Sequence, residues 1–506
     1  MSIATDLDGL PYAALVKWTV IIGLGTVLCI KLHQIYSQRQ SSLPPGPPSH
    51  WLWGTPWPKS YVPRYYDKLA ETYGPVFTVW NGGTPAVVVA RHQVAQEIMT
   101  KHSIDLADRP RTVAAGEVMS GDMRILLVGA GERMRRLRKS LHALLQPNVA
   151  ATYEPIQMKN ARNYVLDILE RPDDFLIHAK RYAAAFILEV TYGKTTPTYY
   201  TDKEVVHINA CLERLGAALR PGAHLVDTFP ILRHFPGYLS TLKQHHEDEL
   251  KLFGGQMTHV RSALAKGEVR PCFATYLLEN QEKLGLSDNE AAYLAGSMFG
   301  AGSDTTGSAL GVVSMAAACY PEAQARVQAQ LDKVVGCDRL PTFEDESQLT
   351  EVTAFVLESF RWRPVTPMGF WHKATKDIVW KDHVIPAGTH VLGCHWAISR
   401  DPEVFPEPDT FNPQRWIDDR GHIREDLKFP NFGFGRRICP GQPVAERSVF
   451  INTALVLWAF ELSQDPTKPI DTYAFRDRPI AHPEPFHVTY TPRIEKLQLK
   501  KILDSH

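Results

Sequence analysis

The stretch Phe432-Gly433-Phe434-Gly435-Arg436-Arg437-Ile438-Cys439-Pro440-Gly441 decides how the rest of the chain is read. Three glycines and a proline surround one cysteine, and an apolar helical pattern over residues 443–460 begins just behind it. The sulfur is thereby set near a helix N-terminus, where free N–H groups and the helix dipole favour thiolate over thiol. Gly435 and Gly441 permit a tight turn and close approach of backbone to a flat ligand. Arg437, two residues ahead of the sulfur, is placed to pair with an anionic group on that ligand. A lone cysteine would otherwise be ordinary core.

The whole pattern F-x-x-G-x-R-x-C-x-G resembles the haem-binding loop of cytochrome P-450 enzymes. The resemblance implies that Cys439 is the axial thiolate of a haem b iron. It also places Phe432, Gly435, Arg437 and Gly441 around that cofactor.

Three further segments extend it. Glu358-Ser359-Phe360-Arg361 resembles the family's E-x-x-R helix, and residues three apart share a helix face. Phe411-Asn412-Pro413-Gln414-Arg415-Trp416 resembles its P-x-R-W/F segment, so Arg415 is expected to join Glu358 and Arg361 in a buried triad. Ala301-Gly302-Ser303-Asp304-Thr305-Thr306 matches A/G-G-x-D/E-T-T/S in the middle of a long helix. There Gly300, Ala301 and Gly302 are small enough to admit a flat cofactor, or to serve close helix packing. Thr305 is expected to bond back to the carbonyl of Ala301 and loosen the helix. An alcohol beside a carboxylate can relay protons. By resemblance, Asp304 and Thr305 handle the protons that dioxygen cleavage consumes.

Secondary sites follow from the same likeness. Glu132-Arg133-Met134-Arg135-Arg136-Leu137-Arg138 resembles a W-R-x-x-R helix with Met134 where tryptophan is usual. Arg138 is expected to reach a haem propionate. His372 stands where a second propionate partner is often found, with a structural histidine as the equal alternative. The basic run Arg133, Arg135, Arg136, Arg138 and Lys139 reads as a dock for an acidic electron donor, in this family a flavoprotein reductase fed by NADPH, or as a solvated face. Residues 124–128 also read as a strand feeding Gly129-Ala130-Gly131, a partial dinucleotide motif lacking its third glycine. NADPH is accordingly expected on the reductase.

Working outward, the 506 residues carry 55 Lys+Arg against 55 Asp+Glu, which removes the electrostatic case for a nucleic-acid binder. Seven cysteines, an odd number, do not make a disulfide scaffold. Residues 10–30 are apolar except for Lys17, long enough for a transmembrane helix, with a cleaved signal peptide or a buried soluble helix as the alternatives. Lys31, His33 and Arg39 follow this run, while Asp6 and Asp8 precede it. That predicts a single-pass anchor over 1–31 with the body in the cytosol, and the resemblance implies that the membrane is the endoplasmic reticulum. Residues 32–48, basic and then Pro-rich, read as a linker.

The body, 49–506, reads as one mainly α domain with small β-sheets, the cytochrome P-450 fold by resemblance. A hairpin is expected around Asn81-Gly82-Gly83. Helices are expected over 132–145, 154–169, 203–219, 239–264, 288–319, 321–335 and 349–363, with Ser287 and Glu290 as a capping box. Residues 321–363 look most like fungal members that oxidise secondary metabolites.

The resemblance therefore implies a monooxygenase inserting one atom of O2 into an apolar small molecule, terpenoid or aromatic. Its pocket would be lined by the regions 103–123, 217–235 and 365–370, with Pro367, Met368 and Phe370 supplying apolar surface. A haem-thiolate isomerase or peroxide-dependent enzyme, and a haem carrier or sensor, are the alternatives.

Overall fold

The computed structural model describes residues 16–19, 21, 23, 25, 26, 42–51, 53–58, 61–220, 222–268 and 270–505. The anchor expected over residues 10–30 falls largely outside them. Among the described residues no helix is long and apolar enough to cross a membrane.

The Pro-rich end of the expected linker is hydrogen-bonded to the body. Proline lacks an N–H but keeps its carbonyl. Pro44 accepts from Thr78 Oγ1 at 2.7 Å and Pro45 from Thr78 N–H at 2.8 Å.

Helix α1 (Val62–Tyr73) leads into strands β1 (Val76–Asn81) and β2 (Thr84–Val89), an antiparallel hairpin in register Val76 with Val89. The helices α2 (Glu132–Leu145), α3 (Glu154–Glu170), α4 (Phe175–Tyr192), α5 (Lys203–Ala218), α6 (Ser240–Ala265) and α7 (Phe273–Leu284) follow. Then come α8 (Asp288–Cys319), α9 (Pro321–Val334) and α10 (Thr350–Trp362). Short strands β3 (His372–Lys373), β4 (Ile378–Trp380), β5 (His383–Ile385) and β6 (His390–Gly393) precede α11 (Gln442–Ala459). Strands β7 (Phe460–Ser463) and β8 (Thr489–Pro492) and helix α12 (Lys496–Asp504) close the chain. One sheet has the order β1-β2-β6-β3, and β4-β5 and β7-β8 are two-stranded.

The axis of the molecule is α8. Ser287 Oγ accepts from Glu290 N–H at 3.2 Å and Glu290 returns the bond to Ser287 N–H at 3.0 Å, the expected capping box. Pro321 opens α9 immediately behind it, where a first-turn proline costs no hydrogen bond. Around its C-terminal half, Tyr164, Phe175, Val313, Phe355, Trp362 and Leu455 form one core from α3, α4, α8, α10 and α11.

Helix α4 was not among the expected helices. Its sequence FLIHAKRYAAAFILEVTY is apolar on most sides, so no polar stripe marks the period. The strand expected over 124–128 is absent. Those residues form turns closed by Leu127 and Val128 N–H on Arg124 O, because buried Arg124 turns inward to Glu249 at 2.7 Å. Without strand or third glycine, the dinucleotide motif has no structural context.

Candidate active site

The cysteine loop folds as its composition dictates. Residues Gly435–Arg437 make one 3-10 turn, Cys439 N–H donates to Phe432 O at 2.8 Å, and α11 starts at Gln442. Gly435 has φ +49°, and a Cβ there would lie 2.1 Å from Ser103 Cβ. No other residue fits that position. A Cβ at Gly441 would stand 3.8 Å from Cys439 Sγ, over the sulfur itself.

The sulfur is accessible yet densely surrounded by protein. Burial pushes the Cys439 thiol up, against the N–H groups of Gly441 and Gln442 and the Arg138 guanidinium, which pull it down. This corrects the expectation that the helix end alone would favour thiolate: desolvation wins over the dipole. A metal ion on the sulfur reverses that balance, since a coordinating thiol loses its proton outright.

Three guanidinia converge beside the loop. Arg437, 8% exposed, donates to Ala107 O at 2.6 Å and Val128 O at 2.7 Å. Arg138 donates to Ile438 O at 2.7 Å. Arg109 donates to Trp371 O at 2.6 Å and Leu126 O at 3.1 Å. None of the three takes part in an ion pair among the described residues. The nearby carboxylate, Asp108, is engaged by Ala130 N–H at 2.7 Å and Lys373 at 3.3 Å. Burial, then repulsion from Arg437 and Arg138, pushes Arg109 down to about 9. Burial and Arg138 push Arg437 down to about 10. Such a cluster is suited to a ligand with more than one carboxylate, as haem has.

Arg109 was missed from sequence. His372, which was singled out, is buried with Nδ1 on Leu106 O at 2.6 Å. A carbonyl only accepts, so Nδ1 carries the hydrogen. Burial, then Arg109, pushes this imidazole down to about 3, so the ring is neutral and its other nitrogen is an acceptor. A carboxylate is better served there by Arg109 than by His372.

On α8, Thr305 Oγ1 donates to Ala301 O at 2.8 Å, as expected. Ala301 is exposed although Gly300 and Ser303 are buried, so this stretch opens onto accessible space. Gly302 does not share that face. A Cβ there would come 2.6 Å from Ile187 Cγ1, so its smallness lets α4 pack against α8. Asp304 pairs with His482, Nε2 to Oδ1 at 2.7 Å, a partner that sequence spacing did not suggest. No hydrogen bond or ion pair among the described residues joins Asp304 or Thr305 to the cysteine loop.

The expected triad is present. Glu358 accepts from Arg361 Nη2 at 2.7 Å and Arg415 Nε at 3.1 Å. Trp416 Nε1 at 2.8 Å and Asn412 N–H at 2.9 Å complete its partners.

The basic run on α2 is divided. Arg133 and Arg136 both reach Glu290, at 3.0 and 3.2 Å, and Arg138 turns to the loop. Arg135 and Lys139 are exposed, and Met134 is buried.

Of the expected lining regions, 113–119 is a π-helix whose Val113 and Ala114 N–H groups donate to Asp227 Oδ1 at 2.7 and 3.0 Å. Val226, Leu239 and Leu242 pack on it. Phe370 keeps accessible surface, while Met368 packs with Tyr66 and Trp396 beside the sheet.

Comparison with known proteins agrees with this arrangement. The Cytochrome P450 family model matches residues 44–489. Cytochrome P450 monooxygenase 64 of Postia placenta is 58% identical over 478 residues, covering 94% of this chain and 97% of that protein. Cytochrome P450 monooxygenase 113 of the same fungus is 54% identical, covering 96% and 98%. Cytochrome P450 monooxygenase virE of Hypocrea virens is 32% identical, covering 94% and 90%. A mainly helical body, a deep-set cysteine in its glycine-flanked loop and full-length similarity to these enzymes lead to one conclusion: this chain belongs to the cytochrome P450 family, and it is a monooxygenase of that family, whose cofactor is a haem-thiolate iron.

Proposed function

We propose that Cys439 ligates a haem b iron and that the enzyme inserts one atom of O2 into an apolar small molecule. The observation that supports this most is the joining of an accessible, deep-set thiol to three guanidinia without ion-pair partners. Sulfur suits the iron, and the guanidinia suit two propionates. Arg109, Arg138 and Arg437 would hold those carboxylates. Phe432, Gly435 and Gly441 would shape the loop around the ligand. When bound, the haem supplies dioxygen activation, with the thiolate favouring O–O cleavage.

The chain's own residues bind, orient and move protons. Thr305, tied to Ala301 O, keeps its hydroxyl oxygen beside the accessible stretch of α8. Asp304, one residue away, holds the carboxylate from which protons pass toward it.

The finer points rest on sequence chemistry. Exposed Arg135 and Lys139, with exposed Arg436 on the loop, support docking of an acidic flavoprotein reductase that draws on NADPH. Residues 10–30 and the basic residues behind them support a single-pass endoplasmic reticulum anchor with a cytosolic body. In that arrangement 1–31 is the anchor, 32–48 the linker and 49–506 the catalytic domain. An apolar substrate, terpenoid or aromatic, accords with Phe370 and with the resemblance of residues 321–363 to fungal members that oxidise secondary metabolites.

The test is the carbon monoxide difference spectrum of the reduced protein beside Cys439→Ser. A strongly red-shifted Soret band that the variant loses is expected. An imidazole-type band in intact wild-type protein overturns the Cys439 assignment.

A further inference from the structure

We infer that His482 is a positioning residue that recharges Asp304 with protons from solvent, an inference that rests on the monooxygenase reading above. His482 Nε2 lies 2.7 Å from Asp304 Oδ1, with the two side chains 11% and 18% exposed. A carboxylate only accepts, so Nε2 carries a hydrogen.

The loop bearing His482 is fixed without help from that contact. Arg476 N–H donates to His482 O and Ala481 N–H to Val365 O, each at 2.9 Å. Ser308 Oγ, on α8, donates to Ala481 O at 2.6 Å. The ring is thus held against the middle of α8 by backbone bonds, and its pairing with Asp304 is left over for another use.

The outer side of the pair meets water. Arg478 pairs with Glu213 of α5 at 2.9 Å and Arg476 with Glu484 at 3.6 Å; Arg478, Glu213 and Glu484 are exposed and Arg476 is half-buried. Among the described residues, Lys180 of α4, Tyr200 behind α4, Glu213, Arg476, Asp477, Arg478 and Glu484 are further charged or titratable groups around Asp304 and this loop. Arginine does not give up its proton, and lysine and tyrosine titrate far above neutrality unless strongly perturbed. Imidazole is the group here with two ring nitrogens, so it can give a proton from one and keep the other protonated.

The step balances simply. The imidazolium gives its Nε2 proton to Asp304 Oδ1, one N–H bond breaking as one O–H bond forms. Asp304 turns and releases that proton on the Thr305 side, and a proton from bulk solvent, relayed through water, returns to Nε2. One proton moves inward per cycle and no electron changes place.

The test uses the haem-loaded protein with NADPH, O2 and purified flavoprotein reductase, without any organic substrate. His482→Gln keeps a donor toward Asp304 but cannot exchange its proton. Its carbon monoxide band, haem content and backbone hydrogen exchange over residues 474–484 should match wild type. Its O2 consumption at pH 7 should fall about tenfold, with Lys180 still beside Asp304 limiting the loss. The dependence of rate on pH between about 5 and 8 should flatten. Asp304→Asn should behave alike, and the double variant should be no slower than Asp304→Asn alone. A wild-type rate and pH profile in His482→Gln overturns the inference. So does wild-type consumption that does not vary with pH, or faster exchange over 474–484, which would make His482 a strut. A wild-type protein lacking the thiolate-type carbon monoxide band fails the underlying reading instead, before any variant is compared.

Discussion

Glu358 and Arg361, three residues apart on α10, are both fully buried and share two hydrogen bonds of 2.7 and 2.8 Å. Arg361 also donates to Ser399 O and Pro408 O, each at 2.8 Å, so one guanidinium stitches α10 to two loops. The pair thus fixes α10 against the segments around Ser399 and Pro408.

Removing the acid alone should therefore be severe. Glu358→Ala leaves Arg361 and Arg415 as buried cations without their partner, a defect of about 3–5 kcal/mol. That is a large fraction of the stability of an ordinary domain. Urea unfolding of the haem-loaded protein measures it. A loss below about 1 kcal/mol would mean the triad behaves like a surface ion pair.

Gly435→Ala tests the loop. Alanine tolerates φ +49° poorly, and its Cβ would overlap Ser103 Cβ. Overpacking of this kind costs about 1–3 kcal/mol, and here it displaces the segment carrying Cys439. Haem content per protein should drop. Adding Ser103→Gly should restore part of it, and equal loss in the double variant would show that backbone strain, not the clash, dominates.

Acid sensitivity has a definite sign. Burial holds His372 at about 3 and His395 at about 4, both below the ordinary 6.5. Below 6.5 the unfolded chain takes up protons that the folded chain refuses. Stability is thus complete above about 6.5 and falls as pH drops toward 4. By pH 4.5 each ring contributes a loss of roughly 2–3 kcal/mol. Melting temperature followed from pH 7 to 4.5 should fall more steeply for wild type than for His395→Gln.

Thr305→Ala removes the hydroxyl bonded to Ala301 O without disturbing the helix backbone. Peroxide released per NADPH consumed should rise several-fold, and Thr305→Ser should stay near wild type. Equal coupling in Thr305→Ala would count against a proton role for this side chain.

What could be read in advance was local. The cap at Ser287, the proline at 321 and the glycines around Cys439 each act within a few residues, so α8 and the loop were legible. Helix α4 was not, because a buried helix that is apolar nearly all round shows no stripe. The roles of Arg109 and His482 depend on which distant segments fold together. Nothing in their neighbouring sequence tells that Arg109 meets Arg437, or that His482 meets Asp304. Arg133 and Arg136 read as an open basic face for the same reason, since Glu290 comes from another helix.

Arg109 separates cofactor binding from folding. In the haem-free protein its guanidinium is bonded to carbonyls and faces two other arginines, so Arg109→Leu trades lost hydrogen bonds against relieved repulsion. The melting temperature of the haem-free variant should change little. With haem, the variant lacks one charge-assisted contact to a carboxylate, worth about 1.5–3 kcal/mol. The rise in melting temperature on adding haem should therefore shrink, and haem should transfer faster to an acceptor protein. His372→Gln should alter neither, because the histidine is neutral and already donates to Leu106 O. The opposite ranking, with His372→Gln losing haem and Arg109→Leu retaining it, would show that the carboxylates lie on the histidine side of the cluster.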